Sequence, residues 1–212
     1  MITVIGNLKG GSGKSTVTFN LALWLMRHGK TVVTYDLDPQ CTLTDVSHVR
    51  AEEKHQPALK VYTRYVKPRF KEAVTEYETL IDVGAANMEA MRRAISLADR
   101  VIIPVSPSQA DIWSTQRFLL IIAGETRSDK KPPEVSAFIN RADTHAIVRE
   151  SDQAEDALRT LPGIHVLNMR LCMRTIYRRS FSEGLAVFEI EPSGKAAKEF
   201  EIFARHFYPE PN

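Results

Sequence analysis

The sequence has few cysteines, no long apolar run and little net charge, and each of these shortages excludes a class of protein. Its two cysteines, Cys41 and Cys172, lack the spacing of metal ligands, and no secretory leader precedes them, so we expect a protein of the reducing cytoplasm. No apolar run reaches the length of a bilayer span, and we expect no membrane partner. A formal net charge of +2 excludes a uniformly basic surface, so any nucleic-acid contact must be local.

The order of hydrophobic segments predicts an α/β fold. Apolar, β-branched runs at residues 2–5, 31–35 and 100–105 alternate with amphipathic segments such as residues 17–26. This alternation is typical of a doubly wound, mostly parallel sheet with helices on both faces, as in P-loop NTPases. The chain has no internal repeat, and its length suits one core, so we expect residues 1–212 to form a single domain.

Four segments carry weaker signals. Residues 47–59 are polar without a clear period and predict a mobile connection or a short helix. A proline opens a predicted helix at residues 68–78. A brief strand is predicted at residues 164–167, and a basic helix at residues 174–183.

A glycine-rich segment between the first predicted strand and helix has the composition of a phosphate-binding loop. It reads L-K-G-G-S-G-K-S-T over residues 8–16. Glycines let backbone N–H groups converge on an anion, and the helix N-terminus adds unpaired donors and a positive dipole end. A lysine supplies charge for the β- and γ-phosphates, and a serine supplies a hydroxyl for magnesium. The predicted nucleotide-binding residues are Gly10, Gly11, Ser12, Gly13, Lys14, Ser15 and Thr16; a merely flexible glycine loop is the alternative.

A second lysine, Lys9, lies five residues before Lys14, although one lysine is enough for the phosphates of a single nucleotide. With it, residues 9–15 resemble the K-G-G-x-G-K-[ST] signature of the ParA/MinD superfamily of deviant Walker A ATPases, without a mismatch. The resemblance implies an ATP hydrolase with ATP and Mg²⁺ as cofactors. It also implies that Lys9 reaches the ATP of a partner subunit in a nucleotide-sandwich homodimer. A solvated loop lysine is the alternative.

Three aspartates follow predicted strands near this loop. The D-x-D-P-Q segment at residues 36–40 resembles the A′ motif of the family, which implies that Asp38 positions the attacking water and Asp36 supports the magnesium shell. Asp82 matches the Walker B acid, expected to hold magnesium through a water together with Ser15, and Gly84 is expected to act as a switch. The resemblance thus assigns hydrolysis to Lys9, Lys14 and Asp38. For Asp36 and Asp38, the alternative is that the two acids simply cap a turn.

Two further motifs occur downstream. Residues 102–111, I-I-P-V-S-P-S-Q-A-D, are similar to the family's I-I-P-V-x-P-S-x-x-D motif, which implies that Pro104 and Pro107 fix a loop at the dimer face. An ordinary strand exit with a serine cap is the alternative. Asn140 and Arg141 directly follow a strand, where related ATPases place an asparagine that reads the adenine edge. Both are therefore expected to bind the cofactor, although asparagine also simply ends strands.

Four arginines give the strongest nucleic-acid signal in the chain: Arg170, Arg174, Arg178 and Arg179. In a helix the first three fall on one face, where they meet phosphates without reading sequence; a solvated charged face is the alternative. Residues 174–188 resemble the C-terminal region of small plasmid-partition ATPases of the ParF type. This resemblance implies nonspecific DNA binding by an ATP-bound dimer or polymer on the nucleoid. It also implies a weak hydrolysis that a centromere-binding ParB/ParG-like partner stimulates.

The leading hypothesis is therefore an ATP-dependent DNA partition ATPase. Three alternatives stay open: a MinD-like membrane-surface switch, a protein that is chiefly a filament former with hydrolysis only as a timer, and a ParA-like ATPase that positions a non-DNA cargo. A membrane switch needs an amphipathic basic C-terminal helix, whereas Phe200, Phe203 and Phe207 predict a helix face docked in the core. Nothing in the sequence separates the two cargo classes.

Overall fold

The computed structural model describes residues 1–64, 77–125, 131–144 and 149–209. Within these ranges, strands and helices alternate along the chain. The strands are β1 Ile2–Asn7, β2 Val32–Asp36, β3 Val61–Tyr62, β4 Glu78–Gly84, β5 Arg100–Val105, β6 Glu134–Ala142 and β7 His165–Cys172. The helices are α1 Lys14–Arg27, α2 Thr42–Glu52, α3 Met88–Leu97, α4 Gln109–Glu125, α5 Glu150–Arg159, α6 Thr175–Glu183, α7 Val187–Ile190 and α8 Lys195–Phe207.

The described strands form one sheet with the order β3-β2-β4-β1-β5-β6-β7. Every strand pairing is parallel. This confirms the predicted doubly wound α/β fold. Strand β1 lies between β4 and β5, at the point where the strand order reverses direction. Such a switch point opens a crevice at the carboxyl ends of the strands, where open α/β sheets bind ligands.

The hydrophobic core is divided by the sheet into two layers. One layer includes Phe19 of α1 together with Phe200 and Phe203 of α8, all fully buried. The other includes Phe118 of α4 and Leu158 of α5, also fully buried. The predicted apolar face of the last helix is therefore confirmed as a core face. Among the described helices, none combines the length and the hydrophobicity of a membrane-spanning segment.

Two predicted boundaries are wrong. Strand β7 continues to Cys172, well beyond the predicted end at residue 167, because it pairs only with β6 in the described sheet and its polar residues meet solvent. Helix α2 begins at Thr42, upstream of the polar segment at residues 47–59 that predicted a connection or short helix. Residues 68–76 of the predicted proline-initiated helix lie outside the described residues, and Glu78 begins β4.

Candidate functional site

The glycine-rich loop joins β1 to α1 at the carboxyl edge of the sheet. Gly13 caps α1 in the left-handed conformation, with φ of 91°. A Cβ at this position would overlap the Asn140 amide nitrogen, so the loop requires glycine there. That Asn140 Nδ2 donates a hydrogen bond of 2.7 Å to the Ser12 carbonyl. The end of β6 thus holds the loop directly at the helix N-terminus.

The two lysines of the loop face different surroundings. Lys14 is buried, and its Nζ donates a 3.3 Å hydrogen bond to the Lys9 carbonyl. The Lys9 side chain is exposed, whereas its backbone N–H donates to Asn7 Oδ1 at 3.0 Å. The Lys9 peptide is therefore held on both sides while its ammonium group points to solvent. The ammonium group of Lys14 thus lies within the loop of its own subunit, whereas the Lys9 side chain extends from the loop surface; their roles toward ATP stay predictions.

Asn7, which the sequence interpretation did not single out, organises this part of the site. It is fully buried, and its Nδ2 donates to the Pro104 carbonyl at 2.9 Å. Its Oδ1 accepts from the Lys9 N–H and from Ser114 Oγ at 3.1 Å. Asn7 thereby joins the signature lysine to β5 and α4. The sequence signal that could have identified Asn7 is its position at the end of the central strand, just before the loop.

Asp82 is a fully buried carboxylate beside Asp36 of the neighbouring strand β2. Within the described residues neither of its oxygens has a partner in hydrogen-bond geometry, although the Ser15 hydroxyl lies close enough to affect its pKa. Burial raises the pKa of Asp82 to about 7; Ser15 and Lys14 lower it, and Asp36 and Asp38 raise it. An unpaired carboxylate near a hydroxyl provides the oxygen ligands that Mg²⁺ prefers, so the residues fit the predicted metal.

Asp36 fixes the loop that follows β2. Its Oδ2 accepts hydrogen bonds of 2.9 Å from both the backbone N–H and the hydroxyl of Thr44, and its Oδ1 accepts from the Asp38 N–H at 3.2 Å. Three donors within the subunit thus occupy its oxygens. The structure places Asp36 as the residue that positions Asp38 and the start of α2; its part in the magnesium shell stays a prediction.

Asp38 lies against the expected switch glycine. Its Oδ1 accepts from the Gln40 N–H at 3.0 Å, and its carboxylate occupies the space that a Cβ at Gly84 would need. Any side chain at position 84 would displace the carboxylate. The Gly84 backbone and the Asp38 carboxylate are therefore packed directly against each other; the switch role of Gly84 stays a prediction.

We expect Asp82→Asn to stabilise the nucleotide-free protein at about pH 8. The unfolded carboxyl has a pKa of 3.8 and the folded one of about 7, so the folded state binds the proton more tightly. Wild-type stability from this group is present below about pH 4 and is lost as pH rises through 7. Because asparagine stays neutral, the variant should gain on the order of 2–4 kcal/mol at about pH 8 and little at pH 4.

Thermal unfolding of both proteins without nucleotide, at the two pH values, measures this difference. Asp45→Asn, an exposed acid in the first turn of α2, is the control and should shift neither curve. A destabilised Asp82→Asn protein at about pH 8 would show that the carboxylate is paired within the subunit.

A cavity of about 670 Å³ opens beside the loop, between the ends of β6 and β7 and helix α6. This volume suits a nucleoside, and its lining includes Asn140, Leu171 and Phe181. The Asn140 amide binds the Ser12 carbonyl through one N–H, which leaves its Oδ1 as an acceptor and its second N–H as a donor. An acceptor matches the 6-amino donor of adenine and not the 6-oxo acceptor of guanine.

The four arginines predicted to bind DNA do not form the expected helical face. Arg170 lies in β7 and pairs with Asp152 and Glu155, both at 2.7 Å. Arg174 precedes α6 and pairs with Glu199 at 2.5 Å. The helical spacing fails because β7 extends past residue 167.

The other two arginines, Arg178 and Arg179, lie exposed on α6. Arg179 pairs with Glu183 within that helix at 2.6 Å, and Arg178 borders the cavity beside the loop. Of the four predicted arginines, only these two leave their guanidinium groups largely open to solvent.

Comparison with known proteins gives one family and several relatives. Residues 3–187 match the family described as the CobQ/CobB/MinD/ParA nucleotide binding domain. The maintenance of carboxysome distribution protein A of Halothiobacillus neapolitanus is 25% identical over 199 residues, 92% of this chain and 90% of that protein. Protein ParA of Rhizobium radiobacter is 27% identical over 196 residues, 86% of this chain and 83% of that protein.

The fold also has solved counterparts. A McdA variant from Cyanothece, solved as an ATP complex, superposes with a TM-score of 0.71 at 18% identity, covering 100% of this chain and 98% of that one. At this identity the likeness concerns the fold alone.

Proposed function

The chain belongs to the CobQ/CobB/MinD/ParA nucleotide-binding family and is a ParA/MinD-type ATPase, and we propose that it drives DNA partition through an ATP-dependent homodimer. In this proposal two subunits meet across their nucleotide loops, and each supplies Lys9 to the ATP of the other. Hydrolysis is weak in the isolated protein, and a centromere-binding ParB/ParG-like partner on the nucleoid stimulates it.

The division of labour between the two lysines is the observation that carries the proposal. Lys14 is buried beside its own loop, while Lys9 has a fixed backbone and a solvent-exposed ammonium group. A single nucleotide needs only one of them. A second cation held at the surface of the same loop is suited to phosphates that arrive with another subunit.

The chain's own residues account for most of the chemistry. Loop N–H groups and Lys14 hold the phosphates, Asp38 orients the attacking water, and Asp36 keeps Asp38 in place through the backbone. Mg²⁺, when bound near Ser15 and Asp82, supplies the charge that neutralises the β- and γ-phosphates. The Oδ1 acceptor of Asn140 fits the 6-amino group of adenine.

DNA is the cargo that we propose for this ATPase. The relative called ParA supports it, as do the exposed arginines of α6. We expect Arg178→Ala/Arg179→Ala to weaken ATP-dependent DNA retention and to reduce the salt slope by about 0.9 for each phosphate that an arginine no longer neutralises. Retention on plasmid DNA across a salt series measures this. ATP affinity is measured in parallel, because Arg178 borders the nucleotide cavity.

Arg159→Ala is the matched control, since Arg159 is an exposed arginine with a carboxylate one helical turn away, as Arg179 is. It should leave DNA retention unchanged. If the double variant keeps full retention, the DNA surface lies elsewhere on the molecule.

A non-DNA cargo is the second candidate, because the carboxysome distribution protein matches over 92% of this chain. Absence of ATP-dependent DNA retention by the wild-type protein, with hydrolysis intact, would favour it. The MinD-like membrane switch has less support, since α8 docks Phe200 and Phe203 in the core. If the protein co-sedimented with anionic liposomes, that result would favour the membrane switch.

A further inference from the structure

Arg141 holds an unusual backbone conformation at the edge of the nucleotide site. Its φ is 57°, in the left-handed region that residues other than glycine, asparagine and aspartate rarely adopt. The pairing of β6 with β7 shifts register between Asn140 and Ala142, so Arg141 lies at a bulge. Bulges beside active sites re-aim a side chain, and strained residues persist where the surrounding structure holds them.

The strained backbone directs the Arg141 side chain toward the phosphate loop. One guanidinium nitrogen, Nη1, lies 3.9 Å from the point where a Cβ would stand on Gly11. The side chain is exposed and borders the cavity beside the loop. It has no hydrogen-bond or ion-pair partner in the described part of the chain. Arg170, Arg174 and Arg179, by contrast, each pair with a carboxylate.

We propose that Arg141 is a phosphate-binding residue that contacts the triphosphate held by the glycine-rich loop. A guanidinium presents two parallel N–H donors that match phosphate oxygens, and it stays charged at every working pH. It would add a third cation to Lys14 of the same subunit and to the Lys9 that the second subunit supplies, where negative charge must be stabilised during phosphoryl transfer. The inference rests on the proposed function, because it takes the loop to bind ATP.

The test uses Arg141→Asn, since asparagine tolerates the left-handed conformation. The substitution removes only the positive charge and the length of the arginine side chain. We expect about a tenfold or greater loss in kcat and in affinity for AMPPNP. Affinity for adenosine should not change, and the melting temperature should be unchanged or higher. Arg141→Lys keeps a charge but lacks the two parallel donors. Its kcat and AMPPNP affinity should therefore lie between those of the wild-type protein and Arg141→Asn. Arg159→Asn, at an exposed arginine of α5 that does not line the cavity, is the control and should leave AMPPNP affinity unchanged.

The outcomes separate the alternatives. Unchanged AMPPNP affinity and kcat in Arg141→Asn would overturn the proposal, and so would an equal loss for adenosine, which would indicate a contact with the base. A lower melting temperature with equal weakening for all nucleotides would overturn it in favour of a structural role. If the wild-type protein binds no ATP, the proposed function itself fails, and the inference fails with it.

Discussion

Replacing Lys14 with alanine is expected to lower kcat for ATP hydrolysis by about 10²–10³-fold or more. Lys14 is the buried cation of the loop, and its ammonium group donates a hydrogen bond to the Lys9 carbonyl. In the nucleotide complex a phosphate oxygen would take the place of that carbonyl as the acceptor. Lys9 cannot replace Lys14, because its side chain points to solvent from a backbone that Asn7 holds. Single-turnover hydrolysis of radiolabelled ATP measures the change.

The loss should not reflect unfolding. In the described residues the Lys14 ammonium makes one long hydrogen bond, and its charge also lowers the pKa of Asp82, so the variant should lose some stability but stay folded, which its melting temperature without nucleotide checks. Lys30→Ala, at an exposed lysine beyond the end of α1, is the control and should retain wild-type kcat. Activity of Lys14→Ala within tenfold of wild type would contradict the assigned role.

Replacing Lys9 with alanine is expected to abolish ATP-dependent dimerisation while each subunit still binds ATP. The exposed ammonium contributes nothing to the loop's own packing, and the Asn7 and Lys14 contacts are to the Lys9 backbone, which alanine retains. Binding of ATP by the separate subunit should therefore stay within about threefold, less than the roughly 1.4 kcal/mol of a tenfold change. Hydrolysis should fall about 10²-fold or more, because the charge from the second subunit is missing.

Analytical ultracentrifugation with AMPPNP and Mg²⁺ distinguishes the two effects of this substitution. The wild-type protein should sediment as a dimer and Lys9→Ala as a monomer, with equal nucleotide occupancy. Lys54→Ala, at an exposed lysine following α2, should sediment as wild type does. A Lys9→Ala dimer of wild-type stability would show that this lysine is only a solvated loop residue.

The parts of the site that depend on local sequence could be predicted. The loop at residues 8–16 is contiguous, and its glycines, lysines and serine are dictated by the backbone geometry of anion binding. Asp36 and Asp82 were predicted to follow strands near the loop, and the parallel sheet brings these strands side by side. A parallel sheet collects the carboxyl ends of its strands at one edge, so the meeting of these residues follows from the fold class.

The parts that depend on tertiary contacts could not be predicted. Nothing near Arg170 in the sequence shows that it pairs with Asp152 and Glu155, because that depends on how α5 packs against an edge strand longer than its apolar run. The direction of the Arg141 side chain depends on a bulge in the pairing of β6 with β7. Asn7 looks like an ordinary polar strand end until Pro104 and α4 lie beside it.

Mixing Lys9→Ala with Lys14→Ala tests most directly the claim that two subunits complete each other's sites. In a mixed dimer, the Lys9→Ala subunit keeps its own Lys14 and receives Lys9 from its partner, so one complete site forms. The mixture of two inactive proteins should hydrolyse ATP faster than the sum of the separate rates. About a quarter of the wild-type rate is the upper bound, reached only if the variants paired as freely as wild type, with half of the dimers mixed and one active site in two. A mixed rate equal to the sum of the separate rates would place Lys9 in its own subunit's site and contradict the account.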